Sequence, residues 1–282
     1  MIAVVLALAS ACAYGISDFV GGVASAKLPP WVVAFGGQCT AAILVLVAAA
    51  VDGFALSGPS IAWAVVAGIG NGLGTVFLYR GLSKGRMGIV APLSGVFAAL
   101  VPVLLAVGLG ERPGYLVWLG IIAAAPAIWL VASAPDPGPT DPDDRTQSSA
   151  VLDGVLAGLG FGLTFAGVSQ IDEGDGLLPL ALNQIVAASV IIVAATLAGA
   201  RFRPTLRELP APLACGLLGA TALVLFLVST QHGLIAVTAV IASLYPAATV
   251  LLAALALGER IHRSQAVGLA LCVAAVSLVA AG

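Results

Sequence analysis

The chain reads as a series of long apolar runs separated by short polar or turn-forming breaks. A helix that crosses a bilayer needs about 20 predominantly apolar residues. Ten runs of that kind fit, at about 2–23, 30–51, 60–82, 86–109, 114–133, 150–169, 177–199, 210–231, 234–257 and 264–281. The breaks carry turn chemistry: Pro29-Pro30, Asp52-Gly53, Gly58-Pro59, Gly85, Pro113, Gly174 to Gly176, and Pro210. One break is longer and of different composition. Residues 134–149 hold four prolines and four aspartates in sixteen positions, which reads as a linker and not as a packed element. Asp172-Glu173-Gly174-Asp175 reads by the same argument as a tight acidic loop.

The linker divides two similar halves. Leu109-Gly110-Glu111-Arg112 ends one apolar run and Leu257-Gly258-Glu259-Arg260 ends another, 148 positions later, with Gly120 and Gly268 following at matching distance. The same offset sets Leu104 on Leu252, Ala106 on Ala254 and Leu130-Val131-Ala132 on Leu278-Val279-Ala280. The pattern is an internal duplication, with halves 1–133 and 150–282. Five spans per half is an odd number, so the second half enters the membrane upside down relative to the first. Inverted repeats of this kind mark secondary transporters, whose site lies between the halves near the midplane. The expected fold is therefore all-α and integral to the membrane, with ten transmembrane helices in two inverted five-helix repeats.

Composition agrees. Hydrophobic residues make up 61% of the chain and charged residues 9%, against roughly 45–50% and about 25% in soluble domains. Ala11-Cys12-Ala13 has the form of a signal-peptide cleavage site, but the first run lacks a basic leader and its counterpart at 150–169 spans, so it is read as a helix. The four cysteines lie inside apolar runs without ligand spacing, so neither a disulfide framework nor a metal or other cofactor is expected. The net charge of −2 argues against a nucleic-acid partner. Gly154, Gly158 and Gly162 in one helix, and Gly68/Gly72 and Gly70/Gly74 in another, are spaced for close helix contact.

The fourth run of each half ending in Gly-Glu-Arg, the glycine after it, and the small-rich first helix with Tyr14-Gly15 together resemble the EamA repeat of the drug/metabolite transporter superfamily. The resemblance covers nearly the whole chain outside the linker. It implies ten helices around a central cavity, a small-molecule substrate and, often, export of amino acids, other metabolites or drugs. Repeats of that family often carry an arginine near the start of the second helix, where this chain has Gln38 and Gln184.

Polar groups inside a bilayer are costly, which makes each one a functional candidate. Asp18 reads as the only carboxylate well inside an apolar run, and an aspartate at a helix centre costs about 2.5–3.5 kcal/mol on insertion scales. It is expected either to carry protons or bind a cation, or to sit in the last turn of a helix ending near Gly21-Gly22 and reach headgroups or Lys27. Gln38, Gln184 and the mid-helix Asn71 are expected to line the cavity or to join helices. Tyr245, aligned with Phe97 in the repeat and followed by Pro246, should kink the ninth helix, and with Ser94 it is a cavity candidate. Arg80 reads as an interfacial anchor beside Lys84 and Arg86, and the two Gly-Glu-Arg sequences read as structural.

The expected function is thus secondary transport through a cavity between the repeats of a multi-pass cell-membrane protein, with a small-molecule substrate, protons and membrane lipids as partners. The sequence leaves its oligomeric state open. A channel on the same scaffold is the nearest alternative. An intramembrane enzyme is not expected, since there is no Gly-x-Ser-Gly, no aspartate dyad with Asp18 and no HExxH. Ten of the eleven lysines and arginines flank loops after odd-numbered helices, which puts both termini outside. The family resemblance implies the reverse.

Overall fold

The computed structural model describes residues 1–25, 27–52, 56–83, 87–132, 144–200, 208–258 and 261–282. Its elements are α1 (Ile2–Ser25), α2 (Pro30–Asp52), α3 (Gly58–Ser83), α4 (Met87–Gly108), α5 (Tyr115–Ala132), α6 (Asp144–Val168), a 3-10 turn (Glu173–Asp175), α7 (Leu178–Leu197), α8 (Pro210–Gln231), α9 (Ile235–Ala242), α10 (Tyr245–Leu257) and α11 (Arg263–Ala281). Among the described residues nine spans, α9 and α10 together forming one, are long and apolar enough to cross a membrane. Leu93–Gly108 adds a shorter apolar helix. The fold is all-helical with about ten spans, as the apolar runs require.

Two boundaries differ from the sequence reading. Helix α6 begins at Asp144, inside the stretch read as linker. Pro142 is the last proline there, and nothing after it removes a backbone donor. Residues 133–143 lie outside the described part, as do Glu259, Arg260, Lys84 and Arg86. The ninth span is broken outright: α9 ends at Ala242 and α10 starts at Tyr245, with Pro246 in its first turn where no intrahelical donor is needed.

Packing is dominated by contacts between the halves. Helix α3 lies against α6 and α7, and α8 lies correspondingly against α1 and α2; α4 packs on α6, and α9 with α10 on α1. Small residues allow these approaches. A Cβ on Gly160 would lie 2.6 Å from the Gly74 nitrogen and 2.7 Å from the Gly70 oxygen, so α3 and α6 touch backbone to backbone. Gly154, Gly158 and Gly162 receive Leu93, Phe97 and Val101 of α4. Gly120, early in α5, meets Val279 late in α11, while Gly268, early in α11, meets Val131 late in α5. These two helices are antiparallel, and their contacts are reciprocal between positions paired by the 148-residue offset.

With ten spans, the termini share one face with the α2–α3, α4–α5, α6–α7 and α8–α9 loops. Gly282 accordingly packs on Leu116 and Val117, and Gly233 on Ala3. The end of α5 and the start of α6, which flank the linker, lie on the opposite face.

Candidate substrate pathway

Helix α1 runs through Gly21 and Gly22 to Ser25, so Asp18 lies seven residues, about 10 Å, before its end. This removes the reading of Asp18 as a last-turn residue. Lys27 is nine positions further on, about 13 Å along the axis. Two seams fix how α1 faces its neighbours. Ser10 donates to the Ala222 carbonyl (2.8 Å) and Ser17 to that of Cys215 (3.2 Å), binding one side to α8. On another side Gly15 meets Ala248, and Thr249 donates to the Gly15 carbonyl (3.1 Å), binding α10.

Asp18 sits between these two seams. It is within electrostatic reach of Tyr14, of Tyr245 on α10 and of Cys215 on α8, and it is exposed. Among the described residues no lysine, arginine or histidine pairs with it. The rings of Tyr14 and Tyr245 lie 6.3 Å apart at 58°, and Ser94 of α4 hydrogen-bonds the Tyr245 side chain. Three of the six sequence-selected residues, Asp18, Ser94 and Tyr245, thus come together, although they lie on three different helices.

The other three also meet. Gln38 Nε2 donates to Asn71 Oδ1 (3.1 Å), and Asn71 Nδ2 donates to Gln184 Oε1 (3.2 Å) and to Asn183 Oδ1 (3.3 Å). Asn71 is the hub that joins α2 and α3 of the first half to α7 of the second. Asn183 and Gln184 are buried, Gln38 and Asn71 half-buried, and Asn183 Nδ2 has no partner.

On the terminus-bearing side of Asp18 the interior is filled. Tyr14 meets Phe165 edge-on (5.8 Å, 70°), and Phe165 meets Phe226 (4.6 Å). These rings belong to a core that includes Val45, Val168, Leu180 and Leu223. The loops on that face are tied across the halves. Ser57 N–H donates to Asp175 Oδ1 (2.8 Å), the Ser57 hydroxyl to Oδ2, and Asp172 N–H to the Ser60 hydroxyl (3.1 Å). The Ser57 hydroxyl, with that of Ser60, holds the Asp175 carboxyl below the ordinary carboxylate range. The acidic loop is therefore a docked element, and Asp175 is buried. Glu111 reaches from the α4–α5 loop to the start of α9, accepting from Ile235 N–H (2.6 Å) and Ala236 N–H (3.1 Å). A carboxylate there complements the exposed donors and positive end of the helix.

The opposite side is less filled. A groove of about 530 Å³ is walled by Phe19, Val20 and Val23 of α1, Pro210 of α8 and Leu257 of α10, with Lys27 and Glu208 in its lining. Its α1 wall lies on the face of that helix turned away from Asp18.

One further charge was missed. Asp153, on α6, is fully buried and accepts from Arg80 Nε (2.7 Å) and Nη2, while the Arg80 guanidinium stacks on Phe77 at 4.7 Å. Asp18 is therefore not the only carboxylate set within an apolar run, and Arg80 is a helix-to-helix tie rather than an interfacial anchor. A buried carboxylate is tolerated because a guanidinium neutralises it at hydrogen-bond distance. The signal in the sequence was one acid and one base in separate runs, 73 positions apart, with nothing to pair them.

The EamA-like transporter family model matches residues 1–133 and again 148–281. No curated protein matches the sequence. A solved crystal structure of a protein superposes with a TM-score of 0.80 over 98% of this chain and 95% of its own, at 15% identity, which shows a shared fold.

Proposed function

We propose a working cycle for this chain, which belongs to the EamA-like transporter family: it is a secondary carrier that moves a small molecule out across the cell membrane. Residues 1–133 and 150–282 form its two halves, joined by 134–149 and inserted with opposite orientation. The antiparallel, reciprocal contact of α5 with α11 supports that inversion. Substrate sits between the halves and is exposed to one face at a time as they rock about it.

The observation that carries the proposal is Asp18. A carboxylate in an apolar helix, exposed and without a basic partner among the described residues, costs stability, and a carrier that binds a proton or a cation has a use for it. Tyr245 and Ser94 shape the site, and Gln38, Asn71 and Gln184 form the wall that couples α2 and α3 to α7. The aromatic packing and the loop ties support a state closed toward the termini. With the terminus side packed, the exposure of Asp18 supports access from the linker face. Basic residues cluster on that face, which supports a cytoplasmic linker side.

The test is transport in proteoliposomes, with and without a pH gradient. A carrier saturates and shows counterflow, and Asp18→Asn should lose gradient-driven accumulation. Linear, non-saturating flux would establish a channel. Unaltered accumulation in the variant would remove Asp18 from the mechanism.

A further inference from the structure

The surroundings of Asp18 have a chemistry of their own. Tyr14 precedes it by one helical turn and lies on the same face of α1. Tyr245 stands across from Tyr14, and Phe165 closes the far side of Tyr14. Tyr14 and Tyr245 are only partly buried. The polar neighbour on α4, Ser94, and the thiol of Cys215 on α8 bring no charge of their own. An anion placed here would meet a carboxylate and the negative faces of aromatic rings. A cation would meet attraction from both.

We propose that Asp18, Tyr14 and Tyr245 form a binding site for a small organic monocation, a protonated amine carrying an apolar group. The ammonium sits against the Asp18 carboxylate and over the tyrosine rings, and the apolar part lies against ring and aliphatic surface. This names the substrate class of the carrier site described above and rests on that reading. A neutral or anionic solute of the same shape is rejected, because it leaves the carboxylate unpaired in a low-dielectric interior.

The experiment compares two probes of similar size and opposite charge, 2-phenylethylamine and 3-phenylpropionate, by calorimetry with the full chain purified in detergent at neutral pH. The amine should bind at least about tenfold more tightly than the acid, the factor expected when charge alone decides. Asp18→Asn should abolish the preference, and Asp18→Glu should keep it. Tyr245→Leu and Tyr14→Leu should each weaken amine binding about tenfold, whereas Tyr245→Phe, which keeps the ring, should stay within about threefold. Each variant is first checked for wild-type elution as a single species. Equal binding of the two probes, or amine binding unchanged in Asp18→Asn, overturns the proposal. Amine binding without amine transport in vesicles would overturn the carrier reading and leave this site standing. Saturable transport of other solutes without amine binding would do the opposite.

Discussion

The two polar clusters between the halves are built to different rules. The amides Gln38, Asn71, Asn183 and Gln184 bond chiefly to one another: Asn71 uses both its oxygen and its nitrogen, and three helices are held as a result. Around Asp18 the hydrogen bonding is left incomplete. Ser94 and Tyr245 engage each other, but the carboxylate has no basic partner among the described residues. A third polar pair, Arg80 with Asp153, shows that this protein can neutralise a buried carboxylate when structure is the purpose. On the proposed reading, an acid inside the membrane region without such a partner is where the transported species binds.

The sharpest way to break this contrast is to exchange the effects on transport. Asp18→Asn should lower gradient-driven accumulation by more than about tenfold, since the charge itself is the coupling element. Gln38→Leu and Gln184→Leu should lower it by only about twofold to fivefold, because each removes one of several bonds in a network worth about 0.6 kcal/mol per contact. Proteoliposome uptake normalised to inserted protein reads both. Equal losses would make the two clusters one site.

Stability should rank the two clusters in the reverse order. Asn71→Leu removes the hub and leaves Gln38 Nε2 and Gln184 Oε1 to find new partners, a loss of about 1–2 kcal/mol. Asp18→Asn relieves an uncompensated charge and should raise the melting temperature of the detergent-solubilised protein by a few degrees. A lower melting temperature for Asp18→Asn would mean that the carboxylate holds the fold together.

The smallest effect belongs to the loops that close the terminus-bearing face. Asp175 is held below the ordinary carboxylate range by the Ser57 and Ser60 hydroxyls. Its contribution is therefore complete above the unfolded value of about 3.9 and is lost as pH falls through the lowered folded value. Melting curves from neutral to acidic pH should show wild type losing more stability than Asp175→Asn below about pH 4, with parallel curves above it. Curves that stay parallel throughout would remove the tie from the account.

Much of the fold was legible in the sequence because run length is a strong constraint in a membrane. So were the contacts at Gly154, Gly158 and Gly162, since only small residues allow such approach. Facing direction was not legible. Lipid and helix neighbours are both apolar, so no amphipathic stripe tells which side of α3 Asn71 occupies or that Asp153 points at Arg80. The break in the ninth span was foreshadowed by Pro246, but not that α9 would end at Ala242 and α10 start at Tyr245. Residues 38, 71 and 184 were singled out as separate polar intrusions. That they form one network is a property of packing.

Orientation is open to a simple check that fixes which face is which. A reporter active only in the cytoplasm should light up when fused near Thr140 and stay dark after Gly282. The opposite pattern would show that family habit outweighs the ten basic residues.

With the faces assigned, the most direct measurement is the sidedness of position 18. In a background with Cys12, Cys39, Cys215 and Cys272 replaced, Asp18→Cys is exposed to a membrane-impermeant thiol reagent in vesicles of each orientation. Reaction from the linker-bearing face, blocked from the terminus-bearing face by the packing of Tyr14, Phe165 and Phe226, is the expected result. Faster reaction from the terminus-bearing face, or none from either, would contradict a pathway that reaches Asp18 from the linker side.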